Sequence, residues 1–247
     1  MSECLRAEWY DLPAEGAADF LGWLHGAHLP ALQALPGIVW VGHYRIVPKS
    51  SPLDVPDSPA RVETDDPAVP KGGDYVLITA ALSPDVFFAP NAPLETFGDA
   101  AAARLAARRE YRMAVFIEEL RFDGPEGRRH MPVSGPPPAM QIGSYNVREP
   151  ADELELARTY RRRKFLEVAA TPGMIRTRKL LSVAGWAKHG IFYEFTDLKD
   201  DEETFEKRFS ADGRRQAASG RHMLEYVVHS PGAPHAGRRI WPAIRET

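Results

Sequence analysis

Trp23-Leu24-His25-Gly26-Ala27-His28-Leu29-Pro30-Ala31-Leu32-Gln33-Ala34-Leu35-Pro36-Gly37-Ile38 is the stretch from which the rest of the chain is read. Ala17, Phe20 and Leu21 just before it continue the same stripe. With Leu24, His28, Leu32 and Leu35 they recur every three or four residues, the period of a helix with one buried face. Pro36-Gly37 stops that helix, because proline cannot continue it and glycine accepts left-handed backbone. Beyond the stop, Ile38, Val39, Trp40, Val41, Tyr44, Ile46 and Val47 have the composition of a strand.

The stretch occurs twice. Leu35-Pro36-Gly37-Ile38 returns as Thr171-Pro172-Gly173-Met174, 136 positions later, and at the same offset Trp9 falls on Tyr145. Phe20, Leu21, Leu24 and Leu32 then fall on Leu156, Ala157, Tyr160 and Val168 without a gap. A shared Pro-Gly alone is chance, but Pro-Gly together with matched helical stripes points to a duplicated unit. The first half predicts strands at Glu3–Leu12, Ile38–Val47, Asp74–Leu82 and Met113–Phe122, with helices from Pro13 to Leu35 and over Leu94–Tyr111. The second predicts strands at Met140–Val147, Met174–Val183, Ile191–Thr196 and His222–His229, with helices over Ala151–Ala170 and Asp200–Gln216. Each half is a βαββαβ unit, so the expected fold class is α+β, with ferredoxin-like repeats over residues 1–122 and 140–229. Residues 48–73, with six prolines, insert where the other half has only Ala184–Gly190, as a solvated excursion or a lid. Residues 123–139 join the halves as a Pro- and Gly-rich linker, and 230–247 form a tail pinned by Ile240-Trp241.

Composition sets the outer bounds. The 247 residues are 44% hydrophobic and 26% charged, which suits a globular protein with a sizeable core. A net charge of −3 argues against a dedicated nucleic-acid binder, and Arg104, Arg108, Arg109, Arg112 and Arg161-Arg162-Arg163 read as solvated helix faces. The single Cys4 excludes a disulfide framework or a Cys-rich zinc site. No run is long and apolar enough for a membrane span and no basic-then-apolar leader begins the chain, so a cytoplasmic location is expected. Neither a phosphate-cradling glycine loop nor a Gly-x-Ser-x-Gly elbow occurs.

Two fused βαββαβ units, a Trp- or Tyr-bearing first strand, a long first helix and its closing Pro-Gly resemble the dimeric α+β barrel superfamily. The His28-Leu29-Pro30 step ahead of Pro36-Gly37 is similar to its EthD-like branch; the second half has Lys164-Phe165-Leu166 there. The resemblance implies a barrel of two four-stranded sheets with helices outside, built here by one chain from its own halves. It implies a monomer with pseudo-twofold symmetry or a homodimer, and a small organic ligand held between helices and sheet. Members of the superfamily include cofactor-free monooxygenases, cyclases, isomerases, and haem-containing or haem-degrading enzymes. The expected function is therefore a cofactor-independent enzyme acting on a hydrophobic, aromatic or enolisable compound. A non-catalytic binding or sensing module is the alternative, and a haem-binding protein the third reading.

His28 is the candidate catalytic residue, because its place on the apolar stripe turns it toward the sheet. At the matched position stands Lys164, so two nitrogen donors would meet an enolate, phenolate or carboxylate. The alternative for His28 is a core-edge histidine satisfied by a backbone carbonyl. His25 lies on the helix flank. Trp9, Trp40, Tyr44 and Tyr145 would line a cleft for a planar ligand if they share the helix-facing side, and would otherwise be core. No metal is expected: His25 and His28 have no carboxylate on their face of the helix. Glu118, Glu119 and Glu194 interrupt apolar strands, and Arg176, Arg178 and Lys179 are their expected partners in a barrel-interior ion-pair network.

Overall fold

Side chains along a strand alternate between its two faces, and β1 (Cys4–Asp11) sends Leu5, Ala7 and Trp9 one way and Cys4, Glu8 and Tyr10 the other. Neither face meets water. The computed structural model describes residues 3–47, 61–88, 90, 97–129, 135–161, 166, 170–198 and 223–244. In the first half β1 pairs with β3 (Tyr75–Ala81) and β4 (Arg109–Asp123), and β2 (Ile38–Ile46) pairs with β3, giving the order β4-β1-β3-β2. In the second half β5 (Ala139–Val147) lies between β7 (His189–Phe195) and β8 (Val227–His229), with β6 (Met174–Ala184) on β7. That order, β8-β5-β7-β6, is again fourth, first, third, second.

The sheets join along two seams. β4 pairs with β6, and β9 (His235–Trp241) lies between β2 and β5, so an antiparallel barrel of eight strands closes. β8 and β9 share one edge of β5: β8 takes Tyr145–Val147 and β9 takes Ala139–Ile142. The tail expected only to be pinned by Ile240-Trp241 thus supplies a barrel strand. The unpaired edges of β2 and β5 need a hydrogen-bonding partner, and β9 is the segment that reaches both.

Helices cover the outside of the first sheet. α1 (Ala17–Trp23), a π-helical turn at Leu24–His28 and α2 (Leu29–Gln33) bury Phe20, Leu24, Leu29 and Leu32 against Tyr10, Val41, Tyr75 and Leu77. The chain then leaves α2 through Gly37 at φ +84°, and its counterpart Gly173 has φ +76°. Both Pro-Gly steps therefore make the same left-handed exit, which a Cβ would strain. α3 (Gly98–Leu105) is shorter than the expected Leu94–Tyr111, because β4 has already begun at Arg109. α4 (Pro125–Arg129) sits in the linker, and α5 (Asp152–Thr159) buries Leu156, followed by Tyr160, against the second sheet. The expected helix over Asp200–Gln216, residues 48–60, and Lys164 lie outside the described residues. Among the described residues no helix is long and apolar enough to cross a membrane.

Trp9, Trp40 and Tyr44 pack inside the barrel with Leu5, Val76, Phe116, Met140 and Phe192, not in a helix-sheet cleft. They share a face, but it is the interior one. Also inside, fully buried Arg178 reaches Glu194 at 2.7 Å, Glu3 at 2.8 Å and Glu118 at 3.6 Å; Lys179, next to it on β6, faces outward instead, over the Tyr145 and Tyr160 rings, and meets Glu119 at 3.5 Å, so it is not part of the interior network. Glu3 and Arg178 are 175 positions apart, one in each half, so this network ties the two halves together.

Candidate functional site

The cleft between the first sheet and its helices carries a chain of three polar rings. Tyr10 Oη lies 2.7 Å from His43 Nε2, and His43 Nδ1 lies 2.7 Å from His25 Nε2. His43, fully buried on β2, stacks on Tyr10 (5.8 Å, 11°) and on Tyr75 (5.3 Å, 26°). Position 43 comes two after Val41 on a strand, so it must share the helix-facing side with it.

Pro30 explains how His25 arrives there. Without an N–H it cannot bond the Gly26 carbonyl, and the chain widens to a π-turn in which Leu29 N–H donates to Leu24 O. That wider turn carries His25 onto His43. His28, at the end of the same turn, is buried between Trp23 (ring centroids 5.0 Å) and Phe97 (4.6 Å). It makes no hydrogen bond among the described residues.

Below this chain, on the same face of β1, the Glu8 carboxylate accepts hydrogen bonds from Tyr111 at 2.8 Å and from Arg6 and Arg108 at 3.1 Å each. Burial works against its charge, but the two guanidiniums outweigh it and hold the pKa down to about 2. Burial lowers the pKa values of His25, His28 and His43, His43 most of all, and raises that of Tyr10. The histidines are therefore neutral near pH 7, and His25, the partly exposed member, keeps Nδ1 without a hydrogen bond among the described residues.

The second half places other groups in the matching cleft. Lys179 Nζ lies 2.8 Å from His189 Nδ1, whose Nε2 lies 2.9 Å from Glu153. Burial pulls the Lys179 pKa down to about 8; burial and the Lys179 ammonium pull that of His189 to about 4. Tyr145 does face the helices: its hydroxyl donates to Tyr160 at 2.8 Å and its ring stacks on His189. Lys179 stands 136 positions after His43, the offset of the sequence repeat, so the paired bases within the described residues are His43 and Lys179. Neither was singled out as a site residue from sequence, yet the offset could have found them.

Of the expected site residues, the structure brings His25 and His28 into the first cleft and Tyr145 into the second, and puts Trp9, Trp40 and Tyr44 in the barrel. An axial haem ligand needs a free ring nitrogen, and among the described residues both ring nitrogens of His43 and of His189 are already engaged.

No family model matches the chain, and no curated protein matches it. Solved structures do. A candidate chlorite dismutase superposes with TM-score 0.59 at 14% identity, over 97% of this chain and 95% of that one. A candidate monooxygenase of Fusobacterium nucleatum gives 0.54 at 8% identity, over 96% and 92%. A dye-decolorizing peroxidase of Bacteroides thetaiotaomicron gives 0.53 at 9% identity, over 97% and 93%. At such identities the likeness is one of fold: the structural neighbours of this chain are dimeric α+β barrel proteins.

Proposed function

We propose that this chain is a small-molecule enzyme of proton-transfer chemistry, independent of a cofactor, acting on an enolisable or aromatic compound in the first-half cleft. The observation that carries the reading is the His25–His43–Tyr10 chain, with its two 2.7 Å contacts, at a π-turn. π-turns inside helices occur often at functional sites. With His25 Nε2–H donating to His43 and His43 Nε2–H donating to Tyr10, the outward Nδ1 of His25 holds a free lone pair. It takes the proton of the substrate C–H, and His43 steadies the resulting imidazolium by accepting from Nε2–H. His43 is thus a positioning residue, and His28 lines the same cleft through its edge. The fold likeness to a candidate monooxygenase and an anthrone oxidase-like protein supports a substrate of this class.

The repeated strand order and the equivalent Gly37 and Gly173 further support an origin by duplication, with the EthD-like signature kept in the first half. One chain then forms the barrel that two would otherwise form, with the first cleft as the reactive one.

Hydrogen–deuterium exchange of the acidic C–H in 1,3-diketones, anthrones and unsaturated lactones, followed by NMR in D2O, tests this reading. Wild type should accelerate exchange of at least one class, and His25→Ala should remove roughly 10²–10⁴-fold of that rate. His43→Gln should lower the rate and move its pH profile. If His25→Ala exchanges as fast as wild type, or wild type accelerates none of the panel, the reading is wrong.

A further inference from the structure

Only 4% of His28 is exposed, yet neither ring nitrogen has a hydrogen-bond partner among the described residues, and neither is sealed from solvent. The small part of the side chain that is open therefore includes its polar atoms. His25, His43 and His189 differ in this respect, since each meets a side-chain partner within 2.9 Å. Buried polar side chains almost always have a partner. His28 instead turns its unpaired nitrogens to the cleft, where an entering molecule meets them.

The ring is held by apolar contacts alone. Trp23, the last residue of α1, lies at 5.0 Å with 31° between planes, and Phe97, just ahead of α3, at 4.6 Å with 53°. Trp23 is itself fixed, edge-on to Phe20 and with the Arg104 guanidinium 5.3 Å from its ring centroid. Two elements thus set the plane of the imidazole, and no hydrogen bond directs its nitrogens elsewhere. Burial lowers the His28 pKa, and the Arg108 guanidinium lowers it further against the opposing Glu8 carboxylate. Near pH 7 the ring is neutral, with one N–H to donate. A donor fixed before the reaction needs no reorganisation when negative charge develops in front of it.

His25 and His28 stand three residues apart on the π-turn, and helix positions at that spacing have Cβ atoms about 5–6 Å apart. We propose that His28 is a second catalytic residue of this cleft, donating its ring N–H to the carbonyl oxygen of an enolisable ketone. The inference rests on the proton-transfer reading and gives that site its oxygen-binding half. As His25 takes the proton, the C–H electron pair becomes the enolate double bond and the carbonyl oxygen takes the charge, facing His28. Return of the proton reverses each change, so no oxidant or reductant enters.

4-Nitrophenol, present as phenolate in mildly alkaline buffer, is the probe of the enolate oxygen, with nitrobenzene as its counterpart lacking that oxygen. In wild type labelled with ¹⁵N-histidine, the His28 N–H signal, identified by its loss in His28→Gln, should move downfield saturably with the phenolate. Nitrobenzene should leave it unmoved. His28→Phe, which keeps a ring between Trp23 and Phe97, should bind the phenolate at least tenfold more weakly and nitrobenzene as before; His28→Gln, which keeps an N–H, should lose less. His25→Ala should keep phenolate binding. In the exchange assay His28→Phe should lower kcat roughly 10²–10³-fold with little change in KM. A His28 signal indifferent to saturating phenolate overturns the inference whether or not a variant folds, and so does His28→Phe that binds phenolate like wild type. Either result leaves His25-dependent exchange standing. Phenolate binding that needs His28 in a protein that accelerates no exchange does the reverse: it retains the oxygen site and removes the proton-transfer reading.

Discussion

Glu8 shows how single residues set the terms in this molecule. Its carboxylate, almost fully buried, is held by Arg6, Arg108 and Tyr111 with a pKa of about 2 against an ordinary 4.5. A carboxylate whose folded pKa is depressed adds stability that is complete above the unfolded value and is lost as pH falls through the folded one. Glu8→Gln should therefore cost about 3 kcal/mol at pH 7 in urea unfolding, and the gap to wild type should close between pH 4.5 and 2. The histidines act in the same direction, because their folded pKa values are lowered too. His189, held near 4, disfavours the folded state below pH 6.5, so acid weakens the second half as well. His43 and Glu8 also show why a buried position is hard to read: each looks like an ordinary polar residue on a strand until the facing helix is in place.

Between residues and barrel, the α1–π–α2 segment is the element on which the proposed chemistry depends. Pro30 forces the π-turn, and the π-turn delivers His25. Pro30→Ala restores an N–H that can bond the Gly26 carbonyl, so the turn should relax to α-helix and His25 should leave His43. NMR titration should then show the His25 pKa rising toward 6.5, since burial is what depresses it. Exchange activity should fall with it while the fold is kept. An unchanged His25 titration would mean that packing, not Pro30, makes the π-turn. The sequence showed this helix by its stripe and its Pro-Gly stop, but a periodicity of 3.6 carries no sign of one wider turn.

At the scale of the whole molecule, a single guanidinium spans the halves. Arg178 holds Glu3, Glu118 and Glu194 within the barrel, and burial raises the pKa of Glu194 even beside it. Arg178→Met leaves those carboxylates without their cation and should destabilise the chain by roughly 3–5 kcal/mol at pH 7. Acidification toward pH 5 should recover part of that, because protonation removes the buried charge, and Glu194→Gln in the same chain should recover part at neutral pH. A pH-independent loss would show that packing around Arg178, not its charge, holds the seam. β9 acts at this scale too, since without it β2 and β5 face each other unpaired across the second seam.

The order of the first eight strands, and of the helices between them within the described residues, was legible in the sequence alone, because period, Pro-Gly stops and the 136-residue offset are local signals that survive without any partner. Strand facing was not legible. In a barrel wrapped by helices both faces of a strand are apolar, so alternation marks two sides without saying which is inside. Trp9, Trp40 and Tyr44 share a face, as their spacing allows, and only closure of the barrel made that face the interior. Closure likewise turned residues 235–241 from tail into strand and joined His43 to His25 across eighteen residues of chain. Contacts of that kind belong to the pairing of distant elements, and no window of sequence contains them.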